Sequence, residues 1–69
     1  MTLDDFKQTK KFKYKGDVFE HHSEDELIIK NSFERFLVEY DQLGFTLNKF
    51  FGKLHFKTDL IFYNECEKV

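Results

Sequence analysis

The run from Ser23 to Gly44 constrains the fold most, because no other part of the chain sustains one apolar period for so long. At about 100° per residue, Ile29, Phe33, Phe36, Leu37, Tyr40 and Leu43 fall in one arc. Lys30, Glu34, Arg35, Glu39, Asp41 and Gln42 lie outside it. Ser23 and Glu26 have the S-x-x-E spacing of a capping box, and Glu24 and Asp25 add negative charge where a helix dipole is positive. Gly44 stands where a left-handed C′ residue ends a helix. The pattern predicts an amphipathic helix over residues 24–43.

A helix of that kind needs a surface on which to bury its arc, and the flanking segments read as short strands. Phe12 and Tyr14 alternate with Lys11, Lys13 and Lys15 at the two-residue period of a strand. Gly16-Asp17 then reads as a tight turn, and Val18 to His22 as the returning strand. Thr2 is placed to cap a short N-terminal helix with Asp4 and Asp5 in its first turn and Leu3 and Phe6 on one side. After Gly44, the residues Leu47, Phe50, Phe51 and Leu54 match i, i+3, i+4, i+7. With Thr46 as N-cap and a Phe45–Phe50 staple, they predict a second short helix over 46–53. Residues 54–64 read as two strands about a Lys57-Thr58-Asp59 turn. The expected architecture is α+β: one domain over residues 1–69, with the long amphipathic helix packed on a small antiparallel sheet of short hairpins, plus one or two short extra helices.

Ten phenylalanines allow so short a chain to build a core, since each buried ring contributes roughly 1.5–3 kcal/mol. There is no proline and no alanine, while Phe, Lys, Asn, Ile and Tyr abound. We read this as the composition of an AT-rich genome, such as that of a phage or plasmid. The single cysteine, Cys66, excludes an internal disulfide and suits a reducing cytosol, so cytoplasmic localisation is expected. The N-terminus has no signal-peptide pattern, and no apolar run approaches the ~20 residues of a membrane span.

Several residue clusters invite a chemical reading. Lys10, Lys11, Lys13 and Lys15 form a basic stretch beside aromatic rings, which suggests a nucleic-acid contact. The alternation sends rings and ammonium groups to opposite faces, however, and the net charge of -2 lacks the basic footprint of a nucleic-acid binder. His21 and His22, with His55 and Cys66, have none of the spacings of a metal site, so no metal and no cofactor is expected. No nucleophile–base order, phosphate loop or H-E-x-x-H motif occurs, and the reading is non-enzymatic.

Leu27 and Val38 sit off the main helical arc on a shared bearing and form a second apolar stripe. With Phe50 and Phe51 they are the candidate contacts for a protein partner, a second copy of the chain being one such partner. The expected function is that of a small protein-binding regulator or inhibitor of a cellular or host factor. The alternative is a nucleic-acid-binding accessory protein that uses the Lys10–Lys15 hairpin.

Leu43-Gly44-Phe45-Thr46-Leu47 resembles the turn entering the second winged-helix segment of MerR-type regulators. Ser23–Leu27 likewise resembles the cap of the preceding helix there, but the gap between the two parts is about one helical turn too long, and the family's upstream recognition helix has no room before Ser23. It implies shared cap chemistry and a helix–turn–helix-like corner at Gly44, not kinship.

Overall fold

Phe36, Val38 and Tyr40 alternate with Arg35, Leu37 and Glu39, and this two-residue period governs the segment that reads as a helix. The computed structural model describes residues 1–23 and 26–69, without the side chain of Ser23. Within them the expected α+β architecture is replaced by a mainly antiparallel sheet with one short helix. The long helix over 24–43 does not form. Its span contains strands β3 (Leu27–Lys30) and β4 (Glu34–Tyr40), joined by a turn at residues 31–33. Asn31 and Ser32 both take left-handed backbone, at φ 50° and 72°, which breaks any helix there. The capping-box side chain of Ser23, with Glu24 and Asp25, lies outside the described residues. Glu26 is a turn residue whose carbonyl accepts the Val38 N–H at 2.8 Å.

The other elements are α1 (Leu3–Gln8), β1 (Lys11–Tyr14), β2 (Asp17–Ser23), β5 (Gly44–Phe51), β6 (Leu54–Lys57), β7 (Ile61–Phe62) and β8 (Glu67–Lys68). Thr2 caps α1 as its sequence predicts, in a reciprocal box with Asp5. The β1–β2 hairpin also forms, but its turn is Lys15-Gly16, one residue earlier than expected. Both turn residues have positive φ, 49° and 83°, as a type I′ turn requires. The short helix over 46–53 is likewise a strand: β5 points Phe45 inward and Phe50 outward, so no staple joins them. Nor do residues 54–64 form a hairpin, since β6 and β7 both pair with the same edge of β5. Thr58 marks the step between them. Its N–H donates to the Leu47 carbonyl, and its hydroxyl accepts the Leu47 N–H, each at 3.0 Å.

The strand order β6–β5–β4–β3–β2–β1–β8 places β8 at the opposite edge of the sheet from β6 and β7. Yet β7 and β8 are separated in sequence only by Tyr63–Cys66. So short a link reaches both edges only if the sheet curls round on itself, and residues 61–68 form the seam of a partly closed barrel. Gly44 sits at this seam. A side chain there would run into the backbone of Ile61 and come within 3.0 Å of the Phe62 Cα, so its glycine serves close strand approach and not a helix end. No helix flanks Gly44, and the helix–turn–helix-like corner is absent.

Helix α1 plugs the seamed end of the barrel. Phe6 is fully buried, stacked on Phe45 at 4.5 Å and in contact with Phe12 at 4.8 Å, His21 at 4.8 Å and Tyr63 at 5.0 Å. A six-residue helix has almost no stability alone, so this ring holds it in place. Ile28, Val38 and Leu47 continue the core along the interior, followed by Phe19, Phe36 and Ile61.

Candidate functional site

In a meander, alternate turns lie at one end, so the β1–β2, β3–β4 and β5–β6 turns all surround the end opposite α1. No helix covers that end, and it opens into a cavity of about 460 Å³. The floor is apolar: Phe19, Phe36, Leu47 and Ile61. Phe51 and Phe56 form the wall on one side and Tyr14 on the other. These assignments follow from register: on the interior face Phe36 pairs with Ile28, Leu47 with Val38 and Lys49 with Phe56, and Lys30 pairs with Glu34 beside them at the mouth.

The mouth is charged. Lys30 pairs with Asp17 at 3.5 Å, and Lys49 reaches Glu34 only at 4.0 Å. The Lys49 ammonium lies 5.2 Å from the Phe36 ring centre and 5.3 Å from that of Phe51, so this side chain spans the cavity throat. Lys15 stands 5.3 Å over Tyr14 and has no ion pair among the described residues. The Asn31 amide bonds the Asp17 carboxylate at 3.1 Å and holds its pKa below the ordinary value, with Lys30 adding to the effect. Asn31 also accepts the Val18 N–H at 3.2 Å, which ties the β3–β4 turn to the start of β2.

Around this mouth the surface is unusually apolar. Phe33 is 75% exposed and Leu54 72%, with Phe51 and Phe56 more than half exposed. All four lie in or beside the turns of the open end. Burial would favour each of them, and a folded chain rarely leaves so many large side chains wet at one place without a use.

The residues singled out from the sequence scatter across this architecture. Val38 is a core residue at 7% exposure, so it cannot form an outward stripe with Leu27. Leu27 lies half-buried on the outer face opposite Leu37. Phe50 is exposed on that outer face and stacks on His55 at 4.4 Å, whereas Phe51 belongs to the open mouth. Lys10, Lys11, Lys13 and Lys15 are all exposed, and Phe12 beside them is fully buried. None of these lysines forms an ion pair among the described residues. Sequence reading missed Phe33, Leu54, Phe56, Lys30 and Lys49. The alternation of Leu47-x-Lys49-x-Phe51 was the signal that could have placed the last of these inside.

Among the described residues no group of three or more His, Cys, Asp and Glu side chains is gathered for a metal. His21 is packed between Phe6 and Phe12, with Nδ1 2.6 Å from the Thr9 carbonyl and Nε2 buried without a partner. The Nδ1 therefore carries the hydrogen and donates it, and burial lowers the ring's pKa. Burial pushes the Cys66 thiol up to about 11, which makes it a poor nucleophile. Comparisons with protein-family models, characterised proteins and solved structures give no match. No helix among the described residues is long and apolar enough to cross a membrane.

Proposed function

We propose that the chain is a non-catalytic binding module that docks an acidic protein partner on the rim of its open end. The single observation that carries this reading is the gathering of Phe33, Phe51, Leu54 and Phe56, all exposed, around one mouth. Three lysines at the same mouth, Lys15, Lys30 and Lys49, with Lys53 in the adjoining turn, favour acidic groups on the partner. The partner contacts expected at Leu27 and Val38 move accordingly to this rim, where Phe51 remains. A standard interface takes about 800 Å² from each side, roughly a sixth of this chain's 5009 Å². That fraction suits a small module built to bind. The buried Cys66, whose thiol burial keeps protonated, supports a role without catalysis. A free thiol also fits a cytoplasmic setting.

The test compares wild type with a Phe33→Asp/Phe56→Asp variant as baits for chemical cross-linking in the source cell. A Phe62→Asp variant, altered on an exposed position at the seam, is the control. Loss of one cross-linked protein in the rim variant alone, with the far-UV spectrum unchanged, is the expected result. Equal cross-linking by all three would overturn the assignment. Mass measurement by light scattering covers the remaining outcome: a dimer abolished by the rim substitutions would make the partner a second copy.

A further inference from the structure

We infer that the cavity behind the rim is a binding site for a single-chain anionic amphiphile, a fatty acid, with its acyl chain on the apolar floor and its carboxylate among Lys15, Lys30 and Lys49. This goes beyond the protein partner and does not rest on it.

The polarity of the cavity dictates the ligand's polarity. Its floor of Phe19, Phe36, Leu47 and Ile61 offers no hydrogen-bonding side chain. A ligand with polar groups along its body would lose their hydration and gain nothing in return. Charged groups occur only at the mouth, so the ligand's polar group must be confined to one end. A volume of about 460 Å³ lies within the usual range for small-molecule sites and is large for a chain of this length.

The sign of that end group follows from the charges facing it. The mouth holds Lys15, Lys30 and Lys49 against Asp17 and Glu34. Asp17 is committed to Lys30 and Asn31. Glu34 meets Lys49 only at 4.0 Å, a loose contact, and Lys15 has no carboxylate among the described residues. An arriving carboxylate therefore gains two cations at little loss of existing pairing. Lys49 already spans the throat above Phe36 and Phe51, where its ammonium would meet the head group and its methylenes would cover the chain. Thr58 adds a donor on the cavity wall. Its oxygen accepts from Leu47, while its own hydrogen has no acceptor among the described residues.

Isothermal titration with hexanoate, octanoate, decanoate and dodecanoate below their micelle concentrations tests this directly. Expected is one site per chain, with affinity rising about fourfold per methylene until the cavity is filled and level thereafter. The neutral 1-decanol should bind about tenfold more weakly than decanoate, the loss of one charge-assisted contact. Lys49→Gln, which removes the ammonium at the throat, should shrink that difference by weakening decanoate more than 1-decanol. Amide resonance shifts should centre on Leu47 and Thr58. Absent saturation, equal affinity for acid and alcohol, or shifts at Leu27 and Phe50 on the outer face would overturn the site. So would binding to phosphatidylglycerol vesicles alone, which would indicate a surface contact instead.

Discussion

Replacing Phe6 by alanine tests whether α1 is the plug on which the barrel depends. The ring is fully buried and has five aromatic neighbours: Phe45, Phe12, His21, Tyr63 and, at 6.1 Å, Tyr40. Large-to-small changes at such positions cost about 3–5 kcal/mol, the lost transfer energy plus the cavity left behind. At about 0.05–0.15 kcal/mol per residue, a chain of this length is stable by only about 3–10 kcal/mol. The substitution therefore removes a large part of the total. At roughly 4–8 °C per kcal/mol, the melting temperature should fall by at least about 12 °C. Urea unfolding followed by far-UV dichroism and by tyrosine fluorescence measures the loss, since Tyr40 and Tyr63 lie against the ring. Phe33→Ala, at a position 75% exposed, is the control and should change stability by no more than about 0.5 kcal/mol. A Phe6→Ala protein within about 1 kcal/mol of wild type would refute the plug, because a helix so loosely held could not close that end.

Two further perturbations read out single residues. His21 is neutral in the fold and its pKa is lowered by burial, so the unfolded chain binds more protons near its ordinary pKa of about 6.5. Its stabilising contribution is complete above that pH and declines as pH falls below it towards the folded value. His21→Phe should flatten this part of the urea-midpoint profile between about pH 7 and 5, and an unchanged slope would assign the dependence elsewhere. Ser32→Gly should raise stability by about 0.5 kcal/mol, because φ 72° strains a side chain but not glycine. In a helix the same change would cost up to about 1 kcal/mol, so the sign of the shift in denaturation midpoint discriminates between the two structures.

The helical reading of residues 24–43 failed for a reason visible in particular side chains. Ile28 and Val38, which the helical arc left outside, are core residues, whereas Phe33, Leu37 and Leu43, which it included, are exposed. A chain rich in apolar residues on both faces of its strands satisfies a 3.6-residue period by accident. Two signals pointed to the sheet: the strict alternation of Phe36, Val38 and Tyr40, and the turn-forming Asn31-Ser32 between two β-branched and aromatic runs. Local chemistry was legible where a few neighbouring residues settled it, as in the Thr2 cap and the β1–β2 hairpin. The seam was not legible. It depends on Gly44 meeting Ile61 and on Phe12 meeting Lys68, pairings between distant segments that no local pattern records. The open end was hidden with it, because Phe33, Phe51 and Phe56 look like core residues until the turns are in place.

The seam also orders events in time. Hairpins of neighbouring strands form from local contacts on the scale of microseconds, and the meander from β1 to β6 can assemble in that way. Phe12 finds Lys68, and the Val69 N–H finds the Lys11 carbonyl at 3.3 Å, only across nearly the whole sequence. Until then β1 and the Gly44–Phe45 end of β5 present raw edges, and the pocket into which Phe6 fits has no far wall. During that interval the exposed phenylalanines and unpaired edges are open to other chains, so crowding of nascent copies competes with closure. Residues 61–69 thus act as a late clasp, and the rate at which they engage sets how long the chain remains adhesive.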